Sequence, residues 1–262
     1  MTSAREKIIR YYKASDDDAL ASRLIDIAET AIKTRKYKLS DFLDPHGSSI
    51  AQTVAAHYQG IKLDFDGGFM NAERVRAAFF HEEYMGGINY EIVPIAVKWD
   101  KRFYSLSHKD VLGAIMGIGC EREVMGDIVF TDEGAQFVVT KGIADFFMNN
   151  LTNVGAANVS CEIINLEDLA QKEEKVKEIK ATVAALRLDA VAAAGYGVSR
   201  SRMAEEIKAQ RVKVNWKEAR NAAQPVNEGD TISFRSRGRL EVAEIKGQTK
   251  KGRISVVLRR YI

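Results

Sequence analysis

Apolar positions recur every three or four residues early in the chain, where Leu20, Leu24, Ile27, Ala28, Ala31 and Ile32 fall on one side of a helix. "ASDDDAL" supplies acidic residues at the end of that helix where backbone N–H groups are free. "SDFLDPHGSS" breaks the pattern, with Pro45 and Gly47 as punctuation, and a short helix is expected over 50–58. The first 70 residues therefore read as a helical domain. From "FDGGFMNAERVRAAFF" onward the period changes. "INYEIVPIAVKW" is a strand run, "SHKDVLGAIMGIG" a helix, "GDIVFT" and "AQFVVT" two strands about the turn "TDEGA". "KGIADFFMNNLTNVG" is a second helix and "ANVSCEIINL" a last strand. That order (βαββαβ) belongs to the ferredoxin-like split unit, so a ferredoxin-like middle domain is expected over 71–183. The charged "EDLAQKEEKVKEIK" leads out of it.

The remaining segment, 184–262, predicts a helix pair followed by a small sheet, making the chain an α+β protein. "LRLDAVAAAGYG" is a short helix with Leu186, Ala190, Val191 and Ala194 on one stripe and Gly195 as its stop. Ser199 is a good N-cap for the next helix, in which Met203 and Ile207 form the buried i, i+4 pair. "RVKVN" alternates Val212 and Val214 with outward Arg211, Lys213 and Asn215, and "VNEGDTISFRSRGRLEVAEI" is a hairpin turning about Gly238.

Composition narrows the class. The 262 residues are 46% hydrophobic and 29% charged, as in a well-packed protein of two or three domains. No apolar run approaches the roughly 20 residues of a membrane helix, and "MTSAREKIIRYYKASDDD" lacks the features of a secretory signal. Cys120 and Cys161 cannot form a disulfide framework, which fits a reduced, cytoplasmic setting. His46, His57, His81 and His108 show no metal-ligand spacing with either cysteine, and neither a nucleotide-binding loop nor a P-loop lysine is present. No metal, cofactor or small-molecule substrate is expected. The net charge of +3 hides an asymmetry: residues 184–262 carry 17 Lys+Arg against 8 Asp+Glu, a net of +9, whereas residues 1–183 carry 22 against 28, a net of −6. Such a concentration is the electrostatic footprint of a polyanion-binding module.

The candidate contacts follow. Arg200 and Arg202 flank a helix N-terminus whose N–H groups favour phosphate. The same placement is unfavourable for the isolated helix, so their removal is expected to stabilise the free protein slightly. Arg187, Ser199, Lys208, Arg211, Lys213, Asn215, Lys217, Arg235, Arg237 and Arg239 complete the set. Trp216 is read either as a base-stacking residue or as hairpin packing. No catalytic residue is assigned: Ser107, His108 and Asp110 are neighbours at a helix start, where Ser107 and Asp110 form a capping box rather than a triad. Cys120 beside Arg122 reads as a small buried residue. Phe137 stands alone on the third strand, short of the aromatic signature by which RNA-recognition motifs stack bases.

"RLD", "SRS", "VKVN" and "GDTISFRSRGR" stand in the order and spacing of the S-four domain, the RNA-binding domain of ribosomal small-subunit protein four, which residues 184–245 resemble. With "FLDP", "GGFMNAERVRA" and "SHKDVLGAIMGIGCEREVMGDIV" in front of it, the whole chain resembles the YlmH family. That resemblance implies a ribosome-associated protein encoded near cell-division genes. It implies, as partners, ribosomal RNA and a peptidyl-tRNA on the large subunit, in the rescue of stalled translation, with a monomer as the acting species. The alternative is an RNA-modifying enzyme, of pseudouridine-synthase or methyltransferase type, carried to its target by the S-four domain.

Overall fold

The computed structural model describes residues 4–13, 17–170, 176–235, 237–249 and 252–261. Part of "ASDDDAL" (14–16), the "QKEEK" of the charged stretch (171–175) and Ser236 of the expected hairpin lie outside the described residues. The chain divides into two units, Met1–Lys172 and Glu173–Ile262.

The first unit opens with α1 (Ala4–Lys13), α2 (Asp18–Thr34), β1 (Tyr37–Leu43), α3 (Pro45–His57), β2 (Ile61–Asp66) and β3 (Val75–His81). The strands form an antiparallel sheet in the order β1-β3-β2. The helices bury Ile8, Leu24, Ile25, Ala28, Ile50 and Val54 with Phe79 of β3. A purely helical first 70 residues is therefore corrected: β1 and β2 are strands, and their common partner β3 places the end of this layer at His81. Helical periodicity could not reveal pairing to a strand outside the window. Pro45 also marks a helix start rather than a gap. It sits in the first turn of α3, where its missing N–H costs nothing, and Asp44 Oδ1 accepts from the Gly47 N–H at 2.8 Å as the cap.

The same unit continues with β4 (Ile92–Lys98), α4 (His108–Gly117), β5 (Met125–Phe130), β6 (Gly134–Thr140), α5 (Ala144–Asn150), a hairpin of β7 (Asn153–Val154) with β8 (Ala157–Asn158), and β9 (Ser160–Ile163). The expected element order is present, with the hairpin added ahead of the last strand. The sheet order is β5-β6-β4-β9, every pair antiparallel. One face packs Ile95, Val97 and Phe137 against Val111, Ile115 and Phe147 of the helices. Phe137 meets the Phe147 ring at 5.4 Å between centroids, so it is a core residue. On the other face Val129 and Val138 are covered by Phe42, Phe69 and Leu169.

Half-buried Arg74 ties these layers together. It donates to the carbonyls of Phe42 at 3.0 Å, Arg122 at 2.9 Å and Met125 at 3.0 Å. Asp127 accepts from the Glu73 N–H at 2.7 Å and the Arg74 N–H at 3.2 Å. Burial, and then the neighbouring Arg74 charge, lower the Arg122 pKa to about 10.

The second unit contains β10 (Val176–Val183), α6 (Leu188–Tyr196), α7 (Arg200–Lys208), β11 (Val212–Val214), β12 (Lys217–Glu218), β13 (Thr231–Phe234), β14 (Gly238–Gln248) and β15 (Ile254–Tyr261). They build one sheet in the order β10-β15-β14-β13-β11-β12, with both helices over one face. β10 pairs along its whole length with β15, from Val176↔Tyr261 to Val183↔Ile254. The charged stretch before 184 thus contributes a strand, and the unit starts earlier than expected. Gly195 is likewise not the stop of α6. The helix runs past it and ends at Gly197, whose φ of +66° is the left-handed conformation glycine allows. Gly195 is glycine for packing, because an added Cβ would lie 2.3 Å from Leu240 Cδ2. Among the described residues no helix is long and apolar enough to cross a membrane.

Replacing Arg74 with alanine removes its hydrogen bonds to three partly buried carbonyls, of which Met125's keeps a longer one from Arg122 Nη1 at 3.4 Å, each bond worth roughly 1 kcal/mol or more. We expect Arg74→Ala to lose about 3 kcal/mol in urea unfolding followed by a probe in the first unit, while the second unit's transition stays in place.

Candidate nucleic-acid interface

In the second unit Asp189, in the first turn of α6, is 5% exposed. Its carboxylate receives Arg187 Nε at 3.2 Å and Arg187 Nη2 at 3.0 Å, and Arg200 Nη2 at 2.9 Å from the start of α7. Burial opposes the charged carboxylate, but the hydrogen bonds and charges of both arginines prevail and hold its pKa below the ordinary value. The guanidinium ends stay about half-exposed and available to a further anion. Ser199 is the N-cap of α7, as expected, with Oγ accepting from the Arg202 N–H at 3.2 Å. Met203 and Ile207 are fully buried on the inner side, leaving Arg202 exposed. Asp189 also corrects one expectation. Arg200 is already balanced by a buried acid, so removing it leaves Asp189 short of a partner and destabilises the unit.

The other candidates do not all converge there. Lys208 is exposed at the far end of α7, and Arg211 pairs with Glu206 at 3.0 Å. Since Val212 and Val214 point into the core, Lys213 faces away from the helices. It lies opposite Ser233, which lies opposite Arg239, which lies opposite Tyr261, in one row across the outer face of the sheet. Arg239 stacks on the Tyr261 ring at 4.1 Å. Arg235 and Arg237 sit at the exposed β13–β14 turn, Arg237 at 5.7 Å over Phe234. That turn needs Gly238: its φ is +83°, and a Cβ would meet the Tyr261 carbonyl oxygen at 2.5 Å. Lys217 is exposed beyond the β11–β12 turn, in which Asn215 and Trp216 both have positive φ. The Asn215 carboxamide is occupied, donating to Asp230 at 2.8 Å and accepting from the Thr231 N–H at 2.9 Å, so it shapes the turn. Trp216 is half-buried there.

One residue escaped the sequence reading. Arg253, between β14 and β15, lines a cleft of about 270 Å³ with Thr182, Ala193, Ala194, Val198 and Arg200. It is held by the Thr182 carbonyl at 2.6 Å. The basic run "KKGR" was its signal. The features weighed as chemistry in the first unit are structural. Asp110 accepts from the Ser107 N–H at 2.8 Å and its hydroxyl at 2.6 Å, and burial pushes the Cys120 thiol pKa up, away from an activated thiolate. Among the described residues no group of three or more His, Cys, Asp or Glu could hold a metal ion.

A carboxylate held below its ordinary pKa contributes stability above about pH 4 and loses it as pH falls through the lowered value. Asp189→Asn should cost about 1 kcal/mol at neutral pH, discounted for the half-exposed arginine ends. The gap to the parent protein should narrow in denaturant titrations as pH falls below the ordinary carboxylate range. The paired change Arg200→Ala with Arg202→Ala should make the salt dependence of RNA binding shallower by about 1.5 log–log units. It should also lower the melting temperature rather than raise it, checked by filter binding and calorimetry.

Residues 186–232 match the S4 domain, residues 16–84 the N-terminal domain of YlmH, and residues 87–168 the domain described as "Putative RNA-binding domain in YlmH". The chain is 37% identical over 246 residues to the "Ribosome-associated protein quality control protein P2" of Bacillus subtilis (strain 168), covering 94% of this chain and 95% of that protein. It also shares a fold with the solved "Cell division protein ylmH from Streptococcus pneumoniae". That likeness has a TM-score of 0.50 at 23% identity, over 59% of this chain and 95% of the other. A cationic two-helix unit of S4 type behind two YlmH-type domains, with this identity along nearly the whole length, places the chain in the YlmH family.

Proposed function

We propose that this protein is a non-enzymatic RNA-binding factor that acts on the large ribosomal subunit, engaging ribosomal RNA and a peptidyl-tRNA in the quality control of stalled translation. The observation that carries the reading is the Arg187–Asp189–Arg200 cluster with Arg202, at the N-terminal end of α7 in an S4-type unit. Backbone N–H groups at a helix start and half-exposed guanidinium ends are both suited to phosphate. The ribosomal setting is supported by the Bacillus subtilis relative, whose name describes a ribosome-associated quality-control protein. The non-enzymatic part is supported by the fate of the candidate nucleophiles, since Ser107 serves a helix start and Cys120 is buried.

The second unit anchors the protein and the first adds selectivity for a subunit holding peptidyl-tRNA. Two linked weak sites gain apparent affinity through effective concentration, even though the first unit is acidic overall. Pelleting with empty and tRNA-loaded large subunits tests this. The full chain should prefer the loaded particles, while residues 173–262 alone should bind both similarly. RNA recovered from the pellets should carry no new modified nucleoside by mass spectrometry. Equal preference by the two proteins removes the selective role of the first unit, and a site-specific modification turns the reading to an enzyme.

A further inference from the structure

RNA-recognition motifs built on a four-stranded sheet stack bases on the open face of that sheet. In the first unit much of that face is covered: Val129 and Val138 lie under Phe42, Phe69 and Leu169, and Phe137 points to the opposite core. Exposed aromatic rings in the 87–168 domain lie instead on the loop from β4 to α4, "WDKRFY".

Phe103 at its tip is 76% exposed and Tyr104 is 37% exposed, while Phe130 on the adjoining strand end is 38% exposed and meets Trp99 edge-on at 5.9 Å. The loop is rigid although it lies at the surface. Buried Trp99 donates its Nε1–H to the Tyr104 carbonyl at 3.2 Å, and the Asp100 carbonyl accepts from the N–H groups of Phe103 at 3.2 Å and Tyr104 at 3.1 Å. Asp100 Oδ1 accepts from the Arg102 N–H and Nε–H, each at 3.0 Å, and Oδ2 from Nη2 at 2.6 Å. That grip sets the guanidinium 5.6 Å from the Phe103 ring centroid and leaves Nη1 outside the pair. Lys101 lies 5.9 Å from the Trp99 ring and donates to the Thr131 carbonyl. The charge is also local. Lys98 is paired with Glu133 and Glu162, so the cations beside the ring are Lys101 and the part of Arg102 left outside its pair with Asp100.

We propose that this loop is a second RNA contact, in which Phe103 stacks on an unpaired nucleobase and Arg102 and Lys101 face the flanking phosphates. The proposal rests on the RNA-binding reading above and names the element by which the first unit takes part. Bases of any identity offer a π-face, so the contact reads strandedness rather than sequence. A loop already fixed by its own hydrogen bonds loses little conformational freedom on binding. The positive charge beside the ring favours a polyanion over an apolar protein surface.

The test uses the full chain with a short single-stranded RNA containing 5-iodouridine, photocrosslinked and mapped by peptide mass spectrometry. Uridine adducts are expected on Phe103 or Tyr104 as well as in the second unit. Phe103→Ala should remove the loop adduct and weaken binding to this RNA by roughly tenfold, the scale of one base–aromatic stack. Its melting temperature should be unchanged, since the side chain is mostly in solvent, and Phe103→Tyr should keep both the adduct and the affinity. Adducts confined to the second unit, with equal affinity for Phe103→Ala, overturn the inference while leaving the general RNA-binding reading intact. Reduced ribosome pelleting by Phe103→Ala with unchanged RNA affinity also overturns it, by making the loop a protein contact. If the full chain binds no RNA at all, the proposed function itself falls.

Discussion

A cation at the start of a helix faces the positive end of the helix dipole, and the second unit is organised around a solution to that conflict. Asp189 lies in the first turn of α6, where an acid is favoured, and reaches two arginines, one of them at the start of α7. A single buried carboxylate therefore serves one helix end and offsets the charge at another. Each arginine keeps part of its guanidinium in solvent. The local excess is about one positive charge before Arg202 is added, so the site keeps a positive balance without holding uncompensated charge against the core.

The two units meet the demands of a nucleic-acid surface differently. The second separates its layers: apolar residues of α6 and α7 close one face of the sheet, while Lys213 and Arg239 stand on the other with Tyr261. Cations thus occur on more than one side, as suits an RNA that bends or presents two strands. The first unit encloses both faces of its second sheet, using Phe42 and Phe69 from the preceding layer as a lid and Arg74 as the hydrogen-bonded tie beneath it. Closure of that kind stabilises the layers.

What could be read along the chain was what depends on neighbours in sequence. The capped start of α7, the Met203–Ile207 pair, the alternation of Val212 and Val214 and the middle-domain element order all obey local periods, and all are present. What was missed depends on distant partners. β1 and β2 are strands because β3 lies between them, and β10 is a strand because β15 pairs with it. Gly195 was misread because helix stops and close helix–strand packing both favour glycine, and only the position of Leu240 separates them. In the candidate site the arginines were legible from charge, whereas the role of Asp189 as their common partner was only half visible. "RLD" places it near Arg187, but its bond to Arg200 spans two helices. Asn215 looked like an outward polar residue because alternation says nothing about a carboxamide folded back onto Asp230.

The strand order of the second unit bears on how the protein is made. β15 is the last strand of the chain, yet it lies inside the sheet, between β10, the first strand of that unit, and β14. The sheet cannot close until Ile254–Tyr261 is available to pair, so β10 waits through both helices and four further strands for its partner. A nascent chain arrested before residue 254 would present β10 and β14 as two unpaired edges, the kind of surface that recruits other strands.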